Sequence, residues 1–131
     1  MRGVYIHIPF CRNICSYCDF CKMYYNKELS NIYLDYLEKE IDMYYEGDTV
    51  KTIYVGGGTP SSLDTDNLNK LFRIINKFKI SSDAEFTFEC NIDDINDELL
   101  TILKENHVSR ISIGVESFNK DKLKYLNRNH N

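Results

Sequence analysis

Four short stretches of this chain are dense in β-branched and aromatic residues: Gly3–Ile8 (GVYIHI), Val50–Val55 (VKTIYV), Glu85–Glu89 (EFTFE) and Arg110–Val115 (RISIGV). Runs of this length and composition predict strands. Between them the apolar positions change period. Tyr33, Leu34, Leu37, Ile41 and Tyr44 recur at helix spacing, as do Leu68, Leu71, Phe72, Ile75 and Phe78. Leu99, Leu100 and Leu103 form a third stripe, and Leu123 and Leu126 begin a fourth. Ser62 or Asp64 can cap the second helix, Asn96 the third and Asn119 the fourth. A side-chain oxygen at such a position accepts a hydrogen bond from an N–H of the first turn that lacks a helical partner.

The order is strand, loop, helix, four times over. Such alternation predicts an α/β fold with a parallel sheet and helices packed outside it. Crossovers in such sheets are right-handed, and ligands gather at the carboxyl ends of the strands. The residues of chemical interest fall on that rim. A cysteine-rich segment follows the first strand, and Gly56-Gly57-Gly58-Thr59-Pro60 follows the second. Glu89 ends the third strand and Glu116 follows the fourth. The acidic positions of the first helix, Asp35, Glu38, Glu40 and Asp42, read as a solvated face.

Composition narrows the function classes. A length of 131 residues, 43% hydrophobic and 27% charged, is that of one soluble domain able to bury a core. The formal net charge of -4 disfavours non-specific binding to nucleic acid or to an anionic membrane. No apolar run approaches the roughly 20 residues of a membrane helix. The opening MRGVYIHIPFC lacks the charged start, apolar middle and small-residue cleavage site of a secretory signal. The expected compartment is the reducing cytosol, where clustered cysteines bind metals or do redox work.

Four of the five cysteines lie in CRNICSYCDFC, residues 11 to 21. Cys11, Cys15 and Cys18 form CxxxCxxC, and Cys21 lies three positions further on. A structural zinc site usually takes two separated ligand pairs, and His107 and His130 are single and distant. A dithiol pair needs only CxxC, which leaves Cys11 unused. A [4Fe–4S] cluster held by three thiolates would keep one iron open for an outside ligand, as a catalytic metal site requires. Spacing alone leaves cluster, zinc and dithiol open. Cys90 reads as a small buried hydrophobe. His7 reads as a packed, hydrogen-bonded histidine on the strand that leads to the cysteines. Three successive glycines let backbone approach a ligand and expose carbonyls to an ammonium group, although such a run is more often a tight turn.

With YIHIPFC (5–11), CSYCDF (15–20), YVGGGTPSSL (54–63), FECN (88–91), RISIGVESF (110–118) and LNRNH (126–130) in this order, the chain resembles the radical S-adenosylmethionine (SAM) superfamily. More narrowly it resembles the oxygen-independent coproporphyrinogen III oxidase family with its haem-chaperone relatives. The resemblance implies a partial (β/α) radical-SAM barrel of about four βα units around a parallel sheet. Residues 1–131 would be the N-terminal part of a radical SAM core domain, truncated before the last barrel units and a C-terminal domain. It implies Cys11, Cys15 and Cys18 as ligands of a [4Fe–4S] cluster whose open iron is chelated by SAM. Tyr5 and Tyr17 match aromatic positions near cluster and SAM. Gly56, Gly57, Gly58 and Thr59 match the motif that meets the SAM amino group, and Glu89 matches a SAM-binding acid. Glu116 and Arg128 match positions associated with SAM, or with a second SAM in the oxidase.

In such proteins the reduced cluster cleaves SAM to a 5′-deoxyadenosyl radical that abstracts hydrogen from a substrate. The oxidase applies this chemistry to the propionates of coproporphyrinogen III. The chaperone branch binds haem and hands it to client haemoproteins. The oxidase usually carries CxxxCxxCxC; here Asp19 and Phe20 follow Cys18, the form of the chaperone branch. Ile92, Glu116 and Asn127 depart from the usual proline, glutamine and glycine. The implied function is therefore a haem-chaperone-like radical SAM protein, with the oxidase as alternative and a zinc-binding α/β domain as a third reading. Partners implied are haem or porphyrinogen, an electron donor and client haemoproteins. Turnover is expected of a full-length parent and not of the truncated chain.

Overall fold

The computed structural model describes residues 2–11, 23–24 and 26–114. The fourth helix with its cap Asn119 lies outside the described residues, as does Val115. Within them the chain runs β1 (Arg2–Ile8), β2 (Phe10–Cys11), β3 (Met23–Tyr24), α1 (Lys27–Tyr44), β4 (Thr49–Gly57), α2 (Thr65–Ile75), β5 (Lys79–Asn91), α3 (Asp97–Glu105) and β6 (Arg110–Gly114). One-turn 3₁₀ helices at Pro60–Ser62 and Ile92–Asp94 lead into α2 and α3.

The main sheet has four strands in the order β1-β4-β5-β6, every neighbour parallel. Strand order equals chain order, as in a barrel wound in one direction and unlike a doubly wound sheet, whose order reverses. Each helix starts on a side-chain cap. Asn26 accepts from the N–H of Leu29, Asp64 from that of Asn67 and Asn96 from that of Leu99. Asp64 and Asn96 are caps the sequence predicts; Asn26 is an addition. Phe78, counted in the second stripe, lies past the end of α2 yet stays buried.

Register assigns the two faces of the sheet. Tyr5 is level with Tyr54, His7 with Gly56, Tyr54 with Thr87 and Glu89 with Ser112. Side chains alternate along a strand, so these positions share one face. The opposite face carries Ile6, Ile8, Ile53, Val55, Phe86, Phe88 and Cys90, all buried. These form one core with Leu34 and Ile41 of α1, Leu68, Leu71, Phe72 and Ile75 of α2, and Leu99 and Leu103 of α3. Phe72 of α2 stacks on Phe88 with ring centroids 5.7 Å apart. The helices thus cover the apolar face, and the polar face carries the chemistry.

The structure corrects three local expectations. Tyr44 is exposed; its neighbour Tyr45 turns inward, packs edge-on against Phe78 at 4.8 Å and donates to the carbonyl of Asp48 at 2.5 Å. The third strand is longer than Glu85–Glu89, because a register irregularity opposite Val50–Thr52 absorbs residues 81–84, Ser-Ser-Asp-Ala. The acidic face of α1 is paired as well as solvated. Asp35 meets Lys70 at 2.5 Å, Glu38 meets Arg73 at 3.3 Å and Lys77 at 2.9 Å, and Asp42 meets Lys77 at 2.8 Å. Asp35–Lys70, Glu38–Arg73 and Asp42–Lys77 share one offset of 35 residues, so α1 and α2 run parallel in a fixed register. Exposed pairs add little stability each; their effect here is on alignment.

His107 ends α3 with φ 67, its N–H bonded to the carbonyl of Lys104. This is the left-handed position after a helix that glycine fills at no steric cost. Replacing His107 by glycine should raise the unfolding free energy by about 1 kcal/mol, read from urea denaturation.

Candidate functional site

The site begins with a close approach of two backbones. The N–H of Gly58 donates to the carbonyl of Ile8 at 2.7 Å, and the N–H of Thr59 to that of Phe10 at 2.8 Å. The glycine segment after β4 is thereby tied to the end of β1 and to β2. Cys11 is the residue after Phe10, with its backbone paired to Tyr24. Side chains would block this approach. A Cβ on Gly58 would lie 2.8 Å from the Phe10 carbonyl oxygen, and one on Gly57 2.7 Å from His7 Nδ1. Gly57 also has φ +112, which L residues rarely adopt. A Cβ on Gly56 would lie 2.8 Å from Glu89 Oε1. Pro60 then opens the one-turn helix, and Ser62 donates back to the carbonyl of Thr59 at 2.6 Å.

Glu89 lies against this segment. Its Oε1 accepts the N–H of Gly57 at 3.1 Å and its Oε2 accepts the phenol of Tyr54 at 2.5 Å. The Tyr54 ring stacks on Tyr5 at 5.9 Å with planes 21° apart. Tyr5 hydrogen-bonds His7 Nδ1 at 3.1 Å, and Tyr33 of α1 donates to the His7 carbonyl. Tyr5, His7, Tyr54, Gly56–Gly58 and Glu89 thus form one continuous rim. The bond to Glu89 raises the pKa of Tyr54, burial and the same carboxylate's charge add to the rise, and a hydrogen bond with Ser112 opposes it. Tyr5 is raised chiefly by partial burial and then by Glu89. Both phenols keep their protons near neutrality.

Of the predicted site residues, the structure brings Tyr5, Gly56, Gly57, Gly58, Thr59 and Glu89 together and sets the Cys11 backbone beside them. Cys15, Tyr17, Cys18, Cys21, Glu116 and Arg128 lie outside the described residues. His7 is hydrogen-bonded as expected, yet exposed rather than packed. Cys90 is the expected buried thiol, 2% exposed and on the helix-covered face. Tyr54 carries no role in the sequence reading. Its signal was there in the two-residue alternation that puts Tyr54 and Gly56 on one face.

Against this geometry the family can be stated. Residues 5–131 match the family model of the radical SAM superfamily, and the chain belongs to that superfamily. Its kinship narrows further among curated proteins. The chain is 46% identical to the haem chaperone HemW of Bacillus subtilis over 99% of its own length and 36% of that protein. It is 32% identical to the oxygen-independent coproporphyrinogen III oxidase of Escherichia coli over 96% of itself and 29% of that protein. The solved structure of the Escherichia coli coproporphyrinogen III oxidase HemN, described as a radical SAM enzyme, superposes with TM-score 0.81 at 32% identity, covering 96% of this chain and 30% of that one. The chain therefore spans about a third of the length of these relatives. The superfamily implies a [4Fe–4S] cluster and SAM, and the superposition bears out the partial α/β barrel. No helix among the described residues is long and apolar enough to cross a membrane.

Gly57→Ala must either abandon φ +112 or push His7 aside, and should destabilise by about 1–3 kcal/mol in urea denaturation, well beyond a surface substitution. Burial, then the charges of Asp94 and Glu89, push the Cys90 thiol up from 9.0 to about 12. A raised thiol pKa favours the folded state's neutral form, so the folded chain binds more protons than the unfolded one between these values. Stability should be unaffected by this group below pH 9 and fall as pH rises from about 9 towards 12. At pH 8 iodoacetamide should leave Cys90 unmodified until denaturant is added, as read by peptide mass mapping.

Proposed function

We propose that this chain forms the cluster-and-SAM end of a haem-handling radical SAM protein of the haem-chaperone kind. In this reading Cys11, Cys15 and Cys18 hold the [4Fe–4S] cluster. Tyr5, Tyr17, Gly56, Gly57, Gly58, Thr59, Glu89, Glu116 and Arg128 serve SAM. Residues 1–131 act as the N-terminal part of the core domain. The observation that carries the reading is the cradle at Gly56–Gly58, where a Cβ at any of the three positions would come within 3 Å of a neighbour. Glycine backbone and the Glu89 carboxylate lie side by side there, and the Thr59–Phe10 backbone bond is one residue from Cys11; acceptors of this kind suit an amino acid ammonium and ribose hydroxyls. When bound, cluster and SAM together supply one-electron chemistry for hydrogen abstraction.

The chain's own residues bind and orient. The glycine carbonyls and Glu89 are acceptors for donor groups of a ligand. Tyr5, 57% exposed, presents a flat ring beside them. Tyr17, Glu116 and Arg128 enter on the motif match alone. Two facts favour the haem-chaperone side: the CDF form after Cys18, and 46% identity to the Bacillus subtilis haem chaperone against 32% to the oxidase. Haem would then be cargo, with an electron donor and client haemoproteins as partners. The second reading, porphyrinogen oxidation, draws on the structural match to the oxidase.

Anaerobic reconstitution with iron and sulfide tests the core of this. The expected result is about four irons per chain and an EPR signal of the reduced protein that changes on adding SAM. Cys11→Ala, Cys15→Ala and Cys18→Ala should each lose the iron, and Cys21→Ala should keep it. Zinc bound in place of iron would overturn the cluster assignment. Stoichiometric haem binding without conversion of coproporphyrinogen III supports the chaperone reading; conversion of the porphyrinogen reverses it.

A further inference from the structure

Tyr54 sits two residues before the glycines, on the face of β4 that the helices do not cover. Its ring is half-buried and outside the apolar core. Its phenol and the N–H of Gly57, both on β4, reach across to one carboxylate on β5. They take one oxygen each, at 2.5 Å and 3.1 Å. The shorter contact has the length of a charge-assisted O–H···O bond. A glutamate has three side-chain torsions, and two donors on separate oxygens fix the plane of its carboxylate as well as its place. The phenol is placed in turn, because its ring stacks on Tyr5 with centroids 5.9 Å apart. A carboxylate has about four acceptor positions. Two are used by the protein, and the remainder are left for a ligand that donates.

We propose that Tyr54 is a positioning residue that holds the Glu89 carboxylate in the orientation in which it accepts a donor group of SAM, a proposal that rests on the reading of this rim as the SAM pocket. Tyr54 acts through Glu89 and is not itself a catalytic residue. Its ring also stacks on Tyr5. A phenylalanine at this position would preserve the stacking and lose only the clamp.

The test is a double-mutant cycle on SAM binding. Wild type, Tyr54→Phe, Glu89→Ala and the double variant are reconstituted anaerobically, and SAM uptake is measured by equilibrium dialysis. Tyr54→Phe should bind about tenfold more weakly than wild type and should cost nothing further in the Glu89→Ala background. An equal loss in both backgrounds, or no loss in either, overturns the proposal. A second readout needs no ligand. With tyrosine ring carbons labelled, NMR titration should find the Tyr54 phenol raised in wild type and lowered towards ordinary tyrosine in Glu89→Ala; no difference overturns the clamp itself. A wild-type chain that takes up no SAM overturns the reading of the rim and this use of it. The NMR titration then still decides whether Tyr54 and Glu89 are coupled.

Discussion

The close approach of the glycine segment to the end of β1 is the constraint on which the rest of the site depends. Two backbone bonds, Gly58 to Ile8 and Thr59 to Phe10, tie two stretches of chain that are about fifty residues apart in sequence. They form only because nothing projects from Gly57 or Gly58 into the space taken by His7, Ile8 and Phe10. At Gly58 a methyl group would have to move backbone atoms of Ile8 and Phe10, and at Gly57 it would meet the His7 ring first and then the Ile8 carbonyl; packed backbone yields little to such displacement. The tie sets where β2 begins, and so where the first cysteine's backbone lies relative to the glycines. It leaves Gly56 with room for the carboxylate of Glu89 across its open side.

The sheet supplies the second requirement. A parallel sheet covered on both sides reads as continuous apolar strands. Here only one face does. Ile6, Ile53, Val55, Phe86 and Phe88 go under the helices, while Tyr5, His7, Tyr54, Glu89 and Ser112 share the other side. Because side chains alternate with a period of two, a slip of one residue between β4 and β5 would send Glu89 into the core and Phe88 onto the rim. Burial of Phe88 therefore fixes the register that brings Glu89 to Gly57. Core packing and site geometry are consequences of the same alignment.

Much of this was legible in the sequence, for reasons that can be named. Four strand-like runs separated by helical periods specify a parallel α/β sheet, and Gly-Gly-Gly-Thr-Pro specifies a backbone that must come close to something. Asp64 and Asn96 announce their helices. What stayed hidden depended on three-dimensional register. Nothing local marks Asp35, Glu38 and Asp42 as partners of residues 35 positions on, because an acidic stripe looks the same whether water or a lysine faces it. Residues 81–84 interrupt the strand pattern in sequence, yet the sheet accommodates them by a shift in pairing. Tyr54 was unremarked because a tyrosine in a strand ordinarily packs, and its role depends on which residue of β5 lies opposite.

The electrostatics of the rim limit what it can hold. Glu89 brings negative charge, and the two neutral phenols beside it offer no positive charge in return. Among the described rim residues, Tyr5, His7, Tyr54, Gly56–Gly58 and Glu89, none is a lysine or arginine. An anionic group brought against this edge would meet an acceptor already satisfied by two protein donors, and would be repelled. An ammonium or hydroxyl group would find lone pairs facing it. Under the proposed reading, a zwitterionic ligand presented to these described residues would turn its cationic end towards Glu89. The orientation follows from the charge of one residue, and that residue is held in place by Gly57 and Tyr54.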